Sequence, residues 1–111
     1  MKICLVGPGY KPIPPDGWGA VESVIWDYYV NLKKMNVDVD IINNTNLREV
    51  INHINKSDYA IVHIMYDDHI VIAPYIQINC KILYTSHYAY ITHPQFETQY
   101  QHYFINIFKK Y

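Results

Sequence analysis

Ile3-Cys4-Leu5-Val6-Gly7-Pro8-Gly9 is the stretch on which the fold turns. Four apolar residues run together and stop at a Gly-Pro-Gly break. A strand covered on both faces has no wet side to display, so it reads as a continuous apolar run, as strands of parallel sheets do. The following loop, out to Gly19, carries Pro8, Pro12, Pro14 and Pro15 along with Gly9 and Gly17, which excludes helix and central strand. From Ala20 the period changes to 3.6. Val21, Val24, Ile25, Tyr28, Leu32 and Met35 fall on one stripe, with Glu22, Asp27, Asn31 and Lys34 largely off it. Strand, loop and amphipathic helix make the first half of a βαβ unit.

The pattern then repeats. Val37-Asp38-Val39-Asp40-Ile41-Ile42 alternates and ends apolar, as a second strand does. Asn46 is placed to cap a short helix, with Glu49 at the capping-box position and Leu47, Val50, Ile51 and Ile54 as its stripe. Ser57-Asp58 turns into a third strand, Tyr59 to Ile64. Asp67 or Asp68 is placed to cap a helix reaching about Gln77, against the opposing signals of Pro74 and Ile70-Val71-Ile72. Lys81 to Ser86 is a fourth strand, and Pro94 opens a helix with the stripe Phe96, Tyr100, Tyr103, Phe104, Ile107 and Phe108. Alternating strands and helices with short links predict one α/β domain, a parallel sheet of about four strands with helices on both faces and the first strand central.

The 111 residues suit a single domain, whose folding removes about two thirds of the unfolded chain's accessible surface. A formal net charge of −1 supplies no field for nucleic acid or an anionic membrane, and the twelve tyrosines are scattered without the basic clusters that make a nucleic-acid platform. Cys4 and Cys80 lie in apolar runs without CxxC spacing, as buried free thiols of a reducing compartment do. The apolar run after Met1 is too short for a signal peptide or a membrane span. The expected location is the cytoplasm.

Ligands of open parallel sheets bind beyond the carboxyl ends of the strands. Three segments converge there: the loop Gly7–Gly19, the stretch His63–His69, and Thr85-Ser86-His87. The helix starting near Ala20 aims its free amides at the same place, an arrangement suited to phosphate or another anion. The loop is no dinucleotide fingerprint, because Lys11 and Pro12 follow Gly9 where a third Gly and a helix start belong; a Gly-Lys-Ser/Thr triplet is absent too. On a purely structural reading, Gly17 and Gly19 only relieve steric strain.

The stretch from Lys2 to Ile42, with Gly17-Trp18-Gly19-Ala20-Val21-Glu22 at its centre, resembles the opening of GT-B-type retaining glycosyltransferases. Their N-terminal Rossmann-like domain begins with such a strand, a Pro/Gly loop and a Gly-Gly-x-Glu-like signature on a long helix. Met35-Asn36-Val37-Asp38-Val39 stands where the family has its "GHEVxV" element, and Lys81 to His87 is similar to its "vvxTxH" strand. Ala20 replaces the second Gly and Asn36 a usual Gly, the latter an exchange the left-handed conformation tolerates. The resemblance implies transfer of a sugar from a nucleotide-sugar donor to an acceptor. His87 would contact the transferring sugar or acceptor hydroxyl, the Gly17, Trp18 and Gly19 loop the donor phosphate or the acceptor, and Glu22 would anchor the loop or acceptor. Thr85 and Ser86 would hydrogen-bond a sugar. The family's donor domain carries two Glu eight positions apart, whereas this chain has only Glu22, Glu49 and Glu97. The expectation is an acceptor-side half, inactive alone and partnered by a second glycosyltransferase domain or subunit, with no cofactor.

Other chemistry is less well supported. Asp38-Val39-Asp40 is a DxD, which in another glycosyltransferase architecture holds manganese, but in an alternating strand it reads as a solvated face. His63, Asp67, Asp68 and His69 match no standard zinc spacing and read as a turn. The competing function is a non-catalytic interaction module that keeps the fold, with self-association through the last aromatic helix. A receiver-like switch needs acidic residues after the first strand, where Gly7-Pro8-Gly9 has none.

Overall fold

The computed structural model describes residues 1–86, and these form four strands and three helical segments in strict alternation. β1 is Lys2–Gly7, α1 Ala20–Lys34, β2 Asp38–Asn43, α2 Leu47–Asn55, β3 Ile61–Ile64 and β4 Lys81–Tyr84; a 3-10 helix, Asp67–Tyr75, links the last two strands. The sheet order is β2-β1-β3-β4 and every pair is parallel, so the first strand is internal. Ile3 pairs with Val39 on one side and Ile61 on the other.

Successive residues of β1 serve opposite faces. Ile3 and Leu5 pack with Ile25, Val39 and Met65 beneath α1. Cys4 and Val6 pack with Val50, Ile54, Val62, Ile64, Ile70 and Ile72 beneath α2 and the 3-10 helix. A strand buried on both sides has to be apolar at every position, which is the reason Ile3 to Val6 shows no alternation.

Helix α1 corrects the expected stripe. Its buried residues are Glu22 and Ile25, with Val21, Tyr29 and Leu32 packed alongside, whereas Val24, Tyr28 and Met35 are exposed. The helix lies over β1 and the edge strand β2, and it is Tyr29 rather than Tyr28 that packs against the core beneath it. Asn36 ends it in the left-handed conformation, φ 60°.

Two caps also differ in detail. Asn46 Oδ1 accepts the Glu49 N–H as expected, but the Glu49 carboxylate takes Asn44 Nδ2 at 2.7 Å instead of closing the box on the Asn46 amide. Neither Asp67 nor Asp68 caps an α-helix; the segment is a 3-10 helix that starts after Tyr66. Pro74 inside it offers no N–H, and the side chain of Asp67 is turned to β4 instead. β3 begins at Ile61 rather than Tyr59, and Thr85 and Ser86 lie just past β4. Cys4 is buried and Cys80 half-buried, both free thiols. No helix among the described residues is long and apolar enough to cross a membrane.

The 3-10 helix is tied back to the turn after β2 by His69, which is 3 % exposed and donates from Nε2 to the Asn44 carbonyl at 3.1 Å. That bond puts the proton on Nε2 and leaves the sealed Nδ1 without a partner. Burial pushes the imidazole below its ordinary value of 6.5, against the opposing pull of the Asn44 carbonyl and Asp68. A lowered folded-state value means that the native state holds the neutral ring. The contribution of His69 is therefore complete above about pH 6.5 and is lost as pH falls below it. The urea midpoint is expected to drop between pH 7 and 5 more steeply in the parent chain than in His69→Gln; identical slopes would contradict this assignment.

Candidate functional site

From β1 the chain passes over α1 to β2 on one side, then over α2 to β3 on the other side of β1. The order therefore reverses between β1 and β3, and the crevice beyond their carboxyl ends is where open α/β sheets place ligands. The loop after β1 and the residues after β3 meet there.

Asn43, at the carboxyl end of β2, pins the first loop. Its Oδ1 accepts the Gly9 N–H at 2.7 Å and its Nδ2 donates to the Lys11 carbonyl at 2.7 Å. Gly9 stands at φ 90°, and a Cβ there would come within 2.4 Å of the backbone at Asn44 and Thr45. The loop is thus seated on the turn after β2 at a point that only glycine can occupy. Lys11 folds the far part of the loop inward: its Nζ donates to the Trp18 carbonyl at 2.6 Å and lies 4.8 Å from the centre of the Trp18 ring. Gly19 is extended, so its requirement is closeness rather than conformation; a Cβ would meet Glu22 Oε1 and Pro15 Cβ at 3.0 Å.

The result is a pocket of about 460 Å³ lined by Pro8, Tyr10, Lys11, Trp18, Ala20, Val21, Glu22 and Tyr66. Tyr10 and Tyr66 meet edge to face, 6.2 Å between centroids, joining the first loop to the end of β3. Glu22 is 6 % exposed, yet it forms no hydrogen bond or ion pair among the described residues. Its oxygens are not sealed, since His69 Nδ1 is the one described side-chain atom that is both sealed and unpartnered. The carboxylate therefore reaches water through the pocket. The first intrahelical bond of α1 is Ser23 N–H to the Gly19 carbonyl, leaving the amides of Ala20, Val21 and Glu22 at the same wall. With a carboxylate already in that turn, the helix end is matched in charge and poorly suited to the anion expected there.

Of the residues singled out from sequence, Trp18 and Glu22 line the pocket. Gly19 closes behind them, and Gly17 is exposed, with open space for 4 Å around the point a Cβ would take. Thr85 and Ser86 are elsewhere. Thr85 Oγ1 bonds His63 Nε2 at 2.7 Å, and Ser86 Oγ donates to Asp67 Oδ1 at 2.7 Å beside the Tyr84 hydroxyl. Burial, then the bond to Asp67, pushes the Tyr84 hydroxyl above its ordinary value. His87 and the stripe from Phe96 to Phe108 lie outside the described residues. Asp40 of the DxD accepts the Tyr59 hydroxyl at 2.8 Å and faces Lys2 at 3.8 Å, while Asp38 is exposed. His63, Asp67 and His69 go to three different partners. A more open hollow of about 520 Å³ runs along the outer edge of β2, but its Asp40 and His53 are both engaged with Tyr59.

Tyr10, Lys11 and Tyr66 complete the pocket without being marked out in the sequence. Tyr66 carries a usable signal, being two residues beyond a parallel strand at its ligand end. Tyr10 and Lys11 carry none apart from their place in the loop.

Compared with known protein families, curated proteins and solved structures, the chain gives no match. Its site geometry is therefore what bears on function.

Gly9→Ala is expected to cost about 3 kcal/mol in urea unfolding, combining a left-handed φ with a backbone clash. Gly17→Ala in the same loop is expected to change it by less than about 0.5 kcal/mol. Equal effects would contradict the seating described for Gly9.

Proposed function

We propose that this chain is the acceptor-side, Rossmann-like domain of a GT-B-type glycosyltransferase, and that the pocket between β1 and β3 holds the acceptor saccharide. The observation that carries the reading is the pairing of aromatic rings, Trp18 and Tyr10 exposed among them, with a nearly buried carboxylate that has no partner among the described residues, at the switch point. A sugar ring offers an apolar C–H face and a rim of hydroxyl donors. Trp18, 81 % exposed, supplies a flat surface for the first, and Glu22 an acceptor for the second. The resemblance of residues 2–42 to the opening of that family supports the same assignment.

In this reading the chain's own work is positioning. Glu22 takes a hydrogen bond from one acceptor hydroxyl, the rings of Tyr10, Trp18 and Tyr66 set the plane of the sugar, and the pinned loop excludes water on one side. The donor's leaving diphosphate belongs to a second domain or subunit, because Glu22 makes the N-terminus of α1 unfavourable for it. Transfer by the 111-residue chain alone is then not expected.

A titration of tryptophan fluorescence with mono- and oligosaccharides tests this. Saturable change is expected at millimolar concentration, with affinity reduced roughly tenfold in Trp18→Ala. No saturable change with any saccharide would overturn the reading, as would efficient transfer from a nucleotide sugar by the chain on its own.

A further inference from the structure

The pocket holds one carboxylate, that of Glu22, with no direct hydrogen-bond or ionic partner among the described residues. It is removed from bulk water on nearly all sides. Its one opening among the described residues is the pocket, so a ligand that enters there displaces the water on the carboxylate and has to replace it with donors of its own. Lys11, the cation lining the same pocket, is not a partner of Glu22: it is exposed, and it is held on the Trp18 carbonyl and over the Trp18 ring. The amides at the start of α1 face the carboxylate only as a partial positive charge. The pocket lining also holds the rings of Tyr10 and Tyr66, set edge to face. Ring faces attract cations, and Lys11 over Trp18 is an instance inside this loop.

Resting on the saccharide reading above, we infer that the ligand of this pocket is an amino sugar whose protonated amine sits on Glu22, in the pocket that the rings of Tyr10 and Tyr66 also line. A neutral hydroxyl returns one hydrogen bond to the carboxylate. An ammonium returns up to three donors and cancels the charge, so it satisfies the site where a hydroxyl does so only in part. The same carboxylate disfavours phosphorylated or carboxylated sugars by like-charge repulsion.

Calorimetric titration of the full chain at pH 6.5 with glucosamine, N-acetylglucosamine and glucose tests the inference, because these differ only at one position and only the first carries a cation. Glucosamine is expected to bind at least tenfold more tightly than the other two. In Glu22→Gln, which keeps the shape and removes the charge, the three affinities are expected to converge. Three equal affinities in the parent chain would overturn the amine assignment and leave the saccharide reading standing, a result that needs no variant to fold. A glucosamine preference that survives in Glu22→Gln would remove Glu22 from the role. Absence of binding by all three would overturn both.

Discussion

The side-chain amide of Asn43 is the interaction on which the site depends. Two hydrogen bonds from one residue, to the Gly9 amide and the Lys11 carbonyl, fasten the start of a long Pro-rich loop to the end of β2. Everything downstream follows from that anchorage. It sets Tyr10 against Tyr66, it places Lys11 where it can gather Trp18, and it brings the chain back to begin α1 with Glu22 facing the crevice. A loop of this length has a large entropy to lose, and prolines reduce it beforehand by restricting the unfolded chain. The asparagine supplies the direction that proline stiffness alone does not.

Elsewhere polar groups at the sheet ends are satisfied from within. Asp67 is buried and takes the hydroxyls of Tyr84 and Ser86, binding the turn after β3 to the end of β4. At the opposite end Tyr59 donates to Asp40, and burial first, then Asp40, pushes the Cys4 thiol up to about 12. That thiol is inert packing. Against these paired groups, Glu22 is a buried acid that has no partner among the described residues, and its position at the switch point gives the contrast its meaning.

Most of the architecture is legible in the sequence. The unbroken run Ile3 to Val6 announces a strand covered on both faces, and the alternation of runs and periodic segments announces the parallel order, with β1 internal. What is not legible comes from tertiary placement. Where α1 lies over the sheet decides which of its apolar residues are buried, and periodicity alone does not distinguish Val24 and Tyr28 from Ile25 and Tyr29. The same shift carries Glu22 into the interior although it lies off the apolar stripe. Thr85 and Ser86 do stand at a strand end, but hydroxyls there serve neighbours as readily as ligands, and His63 and Asp67 take them. Tyr10 and Lys11 reach the pocket through a loop conformation that Asn43 imposes from thirty-odd residues away, a distance no local pattern spans.

Amide hydrogen exchange at Gly9 tests the anchorage most directly. A half-buried loop amide ordinarily exchanges quickly, whereas one bonded to Asn43 opens only when the loop leaves β2. Strong protection of the Gly9 amide is expected, collapsing in Asn43→Ala together with saccharide binding, while the amides of β1 stay protected. Rapid exchange at Gly9 in the parent chain, or saccharide binding undisturbed in Asn43→Ala, would contradict the central place given to this contact.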